Sequence, residues 1–112
     1  MSNSKLTVEQ KQQLKMMRSL NPEIEIFHFP GYRICVGIRR TGERMGEFSV
    51  AICAETETRY RKKVGELLVR ERMHYGQHLP VVLGENEIGE WAESERDYLE
   101  KIAQDIAQAV TG

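Results

Sequence analysis

The segment from Glu23 to Cys53 constrains this chain most. Apolar residues recur there at every second position in successive runs, with no room for a helix between them. In "EIEIFHFPGYRICVGIRR", Pro30-Gly31 forms the pair that a type II turn wants at its centre. Beyond it Tyr32, Ile34, Val36 and Ile38 alternate with Arg33, Cys35, Gly37 and Arg39. After the loop "TGERMG", Phe48, Val50 and Ile52 alternate with Ser49, Ala51 and Cys53. A two-residue turn sets Phe29 across from Tyr32 and Phe27 across from Ile34, and the next hairpin sets Ile38 against Phe48 and Val36 against Val50. The expected product is a three-stranded antiparallel meander with one strongly apolar face. Its other face carries Ile24, Ile26, Cys35, Ala51 and Cys53 beside His28, Arg33 and Arg39, half apolar and expected to be partly covered by a helix or by a second copy.

The flanks read as helices. Thr7 with Gln10 three positions on forms a capping box, Leu14, Met17 and Leu20 follow on one face, and Asn21-Pro22 ends the run. A second helix is expected from Glu57 to Tyr75, stopped by Gly76. Its stripe of Tyr60, Val64, Leu67, Leu68 and Tyr75 is expected on the apolar face of the sheet, with Val69 and Met73 on the opposite side. Leu79 to Leu83 is a candidate fourth strand that Pro80 confines to an edge. A third helix, near Glu90 to Val110, carries Trp91, Tyr98, Leu99, Ile102, Ile106 and Val110 on one side and Glu93, Asp97 and Glu100 on the other. The fold class is α+β, in the order α-β-β-β-α-(β)-α, with an antiparallel sheet of three strands or four. That order excludes a doubly wound parallel sheet, whose strands need crossover helices between them. One domain over residues 1–112 is expected, with 1–6 as a flexible N-terminus.

The net charge of −1 hides an uneven distribution: +1 over residues 1–57, +4 over 58–84 and −6 over 85–112. No apolar run is long enough to cross a bilayer and none leads the chain, so a cytoplasmic location is expected. Two cysteines without metal-ligand spacing read as reduced thiols. The compact size and mixed charge suit a bacterial or phage accessory protein.

In "TRYRKKVGELLVRERMHYGQH", Arg59, Arg61, Lys62 and Lys63 crowd the start of the second helix. Cations there oppose the helix dipole, yet they stand beside backbone N–H groups suited to phosphate. Glu66 and Glu71 can pair locally with Lys62, Lys63, Arg70 or Arg72. The order α-β-β-β-α over Thr7 to Tyr75, with Lys62-Lys63 opening the second helix, resembles the double-stranded-RNA-binding domain. The resemblance is one of topology over two thirds of the chain. It implies phosphate contacts by Lys62 and Lys63. The family's pattern runs Lys-Lys-x-Ala-Lys, whereas here Val64, Gly65 and Glu66 follow the pair, and its Gly-Pro-x-His loop is represented only by Pro30-Gly31.

Catalytic motifs are missing from the sequence, which holds no G-x-S-x-G, phosphate loop or H-E-x-x-H. His74 and His78 have the spacing of helical metal ligands, but Gly76 interrupts them. His28 with the cysteines is the weakest of the functional readings. Neither catalytic residues, metal ligands nor cofactors are assigned. The sequence therefore points to a small non-catalytic intracellular interaction module, homodimeric or bound to another protein. Its candidate interface comprises Val69, Met73, Ile24, Ile26 and Trp91, and the acidic C-terminal helix is expected to answer the basic middle of the chain within or between subunits. The alternative is nucleic-acid binding by Arg59, Arg61, Lys62 and Lys63, with Arg33 and Arg39 from the sheet.

Overall fold

The computed structural model describes residues 6–52, 61–84 and 94–111. It shows α1 (Val8–Leu20), β1 (Glu25–Phe29), β2 (Ile34–Arg40), β3 (Met45–Ile52), α2 (Lys62–His74), β4 (Leu79–Val82) and α3 (Glu95–Thr111). The four strands form one antiparallel sheet in the order β1-β2-β3-β4, so the fold is α+β with the fourth strand present at an edge.

Each element begins where its local chemistry directs. The Thr7 hydroxyl accepts from the Gln10 backbone N–H at 3.1 Å, and the Gln10 amide oxygen accepts from the Thr7 N–H at 3.0 Å, which satisfies two of the orphan donors at the start of α1. Between β1 and β2 the connection is four residues long rather than two. Pro30–Tyr32 forms a 3-10 turn, and Arg33 takes the left-handed conformation at φ 58° to close it. The Pro-Gly pair therefore does not act as a type II turn. The register moves by two, to Phe29 opposite Ile34 and Phe27 opposite Val36. A shift of two preserves side-chain parity, so both phenylalanines still face the apolar side. In the next hairpin Ile38 pairs with Phe48 and Val36 with Val50, as the alternation requires.

The helices divide between the two faces of the sheet, and here the structure corrects the helix assignment. α3, not α2, covers the strongly apolar face: Tyr98, Leu99, Ala103 and Ala107 are buried against Phe27, Ile34, Val36, Ile38 and Leu83. The stripe of large residues marked only part of the buried side, because α3 seats on the sheet through two alanines, while Val110 is exposed. α2 takes the opposite face by Val69 and Met73, which pack on Cys35, Ala51, Ile24 and Ile26. The reason lies in the small residues there. A Cβ at Gly37 would stand 2.1 Å from Val69 Cγ1 and 3.1 Å from Met73 Sδ, so only glycine at this position lets the helix approach so closely. α1 lies beside α2, where Leu6 and Leu14 enclose Leu67. Leu68 and Tyr75 of the expected stripe are exposed, and Tyr60 falls outside the described residues.

Candidate functional site

The residues expected at an interface lie mostly in the interior. Val69 and Met73 of α2 and Ile24 beneath them are buried, and Ile26 is half-buried beside them, so these side chains serve the chain's own core. Trp91 lies outside the described residues. Of the cations, Lys62 and Lys63 are exposed in the first turn of α2, and Arg61 is its half-buried N-cap residue without a side-chain capping bond. Arg59 is outside the described residues. Arg39 is held by Glu47 at 2.8 Å and Glu23 at 3.1 Å. Arg33 forms the left-handed corner after the 3-10 turn.

Within the chain, the basic helices and the acidic helix do not meet as the charge pattern suggested, because the sheet stands between them. α1 and α2 each carry a formal +2, and α3 carries −2 on the far side. The acids of α3 find other partners: Glu95 binds Arg40 at 2.8 Å, and Asp97 lies near Lys101. In the basic layer the compensation comes instead from Glu66. Its carboxylate accepts two hydrogen bonds from Arg18, at 2.7 and 2.8 Å, and one from Arg70 at 2.8 Å. Burial pushes the Glu66 carboxyl up, and the two guanidiniums outweigh it, leaving the group below its ordinary value.

The remaining polar candidates are drawn apart. Cys35 is buried beneath α2, and Cys53 is outside the described residues. His28, paired in register with Cys35, has its basicity lowered first by burial and then by the charge of Lys62. His74 Nδ1 meets the Asn21 side-chain amide at 3.1 Å, whereas His78 Nε2 faces Glu47 at 3.5 Å, so the two histidines do not converge. Among the described residues, no group of three His, Cys, Asp or Glu side chains is placed to hold a metal ion. A cleft of about 340 Å³, not foreseen from the sequence, is lined by Phe48, Ser49, Gly76, Gln77, His78 and Leu79. It brings a serine and a carboxylate-paired histidine together. Among the described residues, though, no hydrogen bond links the Ser49 hydroxyl to His78, the contact through which a base activates a serine.

The sheet's edges show a feature that residue types alone conceal. The Leu83 N–H donates to the Arg44 carbonyl at 3.0 Å, which makes 44 and 83 a hydrogen-bonded pair of the β3–β4 ladder. Alternation then turns the peptide groups of Leu79 and Val81 toward β3 and those of Pro80 and Val82 outward. Proline thus occupies a position whose N–H the sheet does not need. The same parity makes Ile26 an outward residue of β1 and turns the Val50 carbonyl out beyond the end of β4. Both are guarded by arginines. Arg96 donates to the Ile26 carbonyl at 3.3 Å, and Arg72 donates to the Val50 carbonyl. Among the described residues no side chain does this for Pro80 or Val82.

Among the described residues, β4 is also the strand that the helices cover least. α2 lies over β2 and β3, and α3 over β1 and β2. Among the described residues at this edge, Val81 and Leu83, the latter just beyond β4, join the core beneath α3. Val82 is 83% exposed, Leu79 61% and the adjacent Met45 58%, and no charged residue stands within Leu79–Val82. Uncovered apolar edges are a hazard that proteins ordinarily blunt with charge, proline or cover, and among the described residues proline is the device present at this edge. The sequence signal was available in the uncharged "LPVV", but its meaning depends on which peptide groups face outward.

No helix among the described residues is long and apolar enough to cross a membrane. No protein-family model, curated protein sequence or solved structure matches this chain significantly.

Proposed function

We propose that this protein is a small non-catalytic interaction module that recruits another polypeptide by strand addition at the open β4 edge. The single observation that carries the reading is the contrast between edges: arginines guard the outward carbonyls of Ile26 and Val50, while Pro80 and Val82 stand unguarded among exposed apolar side chains. Strand addition draws affinity from main-chain hydrogen bonds and specificity from alternate side chains. The test compares the wild type with Val82→Lys and Leu79→Lys in capture of bound chains and in light scattering. Both variants are expected to lose the complexes of the wild type while keeping its circular dichroism. Complexes that survive both substitutions would overturn the reading.

A second reading draws support from the layer arrangement. Lys62 and Lys63 are exposed, Lys11 and Lys15 are exposed on the neighbouring helix of the same layer, and the acids of α3 lie across the sheet from them. Contacts of several cations with phosphates make affinity fall steeply with salt. Fluorescence anisotropy of labelled duplex RNA and DNA at two salt concentrations is then expected to show salt-sensitive binding that Lys62→Ala with Lys63→Ala weakens. Absence of binding at low salt would refute it.

A further inference from the structure

We infer that the occupant of the β4 edge is a second copy of this chain, paired β4 to β4 in antiparallel fashion about a twofold axis through Val81, so that two four-stranded sheets join into one. The inference rests on the edge reading above and supplies the partner that reading leaves open. Its basis is the self-complementarity of the edge. Val82 is the residue of Leu79–Val82 that offers an outward N–H, since Pro80 has none and Leu79 and Val81 are turned toward β3. Two residues away, Pro80 offers an outward carbonyl. With the axis at Val81, Val82 of each chain faces the partner's Pro80, and the Val82 N–H donates to that carbonyl on both sides of the axis. The proline removes the return bonds and leaves these two. An axis one residue further along would leave Leu79 without a partner strand, whereas centring on Val81 overlaps the whole of Leu79–Leu83.

The side chains agree with this register. On the α2 side Val82 meets the partner's Pro80, with Met45 next to Val82 on the same face. On the α3 side Val81 meets the partner's Val81, and Leu79 meets the partner's Leu83. No charged side chain stands opposite its like, because the paired strands hold none. The exposed parts of Met45, Leu79, Pro80 and Val82 amount to roughly 500 Å² per chain, so the pair can bury at most on the order of 1,000 Å², the floor for a specific interface. A micromolar, concentration-dependent dimer is the consequence.

Sedimentation equilibrium of the full chain tests this together with a cysteine crosslink. Val82→Pro removes the outward N–H and no bond to β3, and Val82→Lys adds a charge. Each is expected to raise the dimer dissociation constant at least tenfold with the circular dichroism unchanged. Facing residues of a non-hydrogen-bonded pair have Cα atoms about 4.5 Å apart, within disulfide reach. Val81→Cys chains should therefore crosslink on mild oxidation, and Met45→Cys chains should not. A wild type that stays monomeric up to about 500 µM, far above a micromolar dissociation constant, would overturn the inference. So would a Val82→Pro dimer as tight as the wild type, or crosslinking through Met45→Cys in place of Val81→Cys. If the wild type is monomeric but loses a captured heterologous chain on Val82→Lys, self-pairing fails and the edge reading stands. Complexes indifferent to Val82→Lys overturn both.

Discussion

Replacing Gly37 with alanine tests how the sheet carries α2. The added Cβ would lie 2.1 Å from Val69 Cγ1, where carbon atoms in contact sit about 3.5–4.0 Å apart, so the pair must separate by roughly 1.5 Å. Val69 has little freedom to yield. A β-branched side chain in a helix keeps one χ1 rotamer about 90% of the time, and Val69 is fully enclosed by Met73, Cys35, Ala51 and Ile24. The strain therefore falls on the position of α2, which must lift and loosen the packing of Val69 and Met73 together. Overpacking of this kind costs about 1–3 kcal/mol, and the gain of about 0.4–1 kcal/mol from a stiffer unfolded chain offsets part of it. Against a displacement this large the net is placed near the upper end, at about 2 kcal/mol, which for a domain of this size lowers the melting temperature by roughly 8 °C. Urea denaturation and calorimetry measure it, and the double variant Gly37→Ala/Val69→Ala supplies the control. If the clash is the cause, Val69→Ala should be much less harmful in the alanine background than alone, with a coupling of about 1 kcal/mol or more. A Gly37→Ala protein as stable as the wild type, or strictly additive effects, would refute the close approach of helix and sheet.

Other consequences concern the polar groups. Glu66→Gln should destabilise by about 3 kcal/mol in urea denaturation, because it leaves Arg70, largely buried, without its charge partner. The Glu66 carboxyl titrates below its ordinary value, so its contribution is present at neutral pH and is lost as pH falls below 4.5 toward the folded-state value. The acid limb of the stability profile should flatten in Glu66→Gln. His28 has the opposite chemistry with the same direction of effect: burial and then Lys62 lower its affinity for a proton in the fold, so protonation of the unfolded chain erodes stability as pH falls below 6.5 toward the folded-state value. His28→Gln should remove that slope in a pH series of melting curves. Thr7→Ala should cost about 1 kcal/mol by deleting the capping bond to Gln10, read by the same denaturation.

Much of the architecture could be read from periodicity. The capping box of α1, the pairing of Ile38 with Phe48 and the edge placement of Pro80 each rest on local chemistry, and the structure bears them out. The division of helices between faces was not legible, for a physical reason. Both helices are amphipathic, and the choice turns on the depth of the two sheet faces, which Gly37, Cys35 and Ala51 set only after the strands have paired. Counting large residues favoured the Leu67–Leu68 side of α2, although the sheet selects the narrower Val69–Met73 ridge. The four-residue β1–β2 connection is not legible in the sequence, because a non-glycine residue, Arg33, takes the left-handed position. The basic segment could be seen in the sequence, but the pairing of Glu66 with Arg70 of the same helix and with Arg18 depends on Arg18 arriving from α1.

The open β4 edge is tested most directly by amide hydrogen exchange at Val82 followed as a function of protein concentration. The account predicts that the Val82 amide exchanges freely in dilute solution and becomes protected as concentration rises, while the Val81 amide, turned toward Gly46 in the ladder, is protected throughout. A Val82 amide protected equally at every concentration, or free at every concentration with no partner chain slowing it, would contradict it.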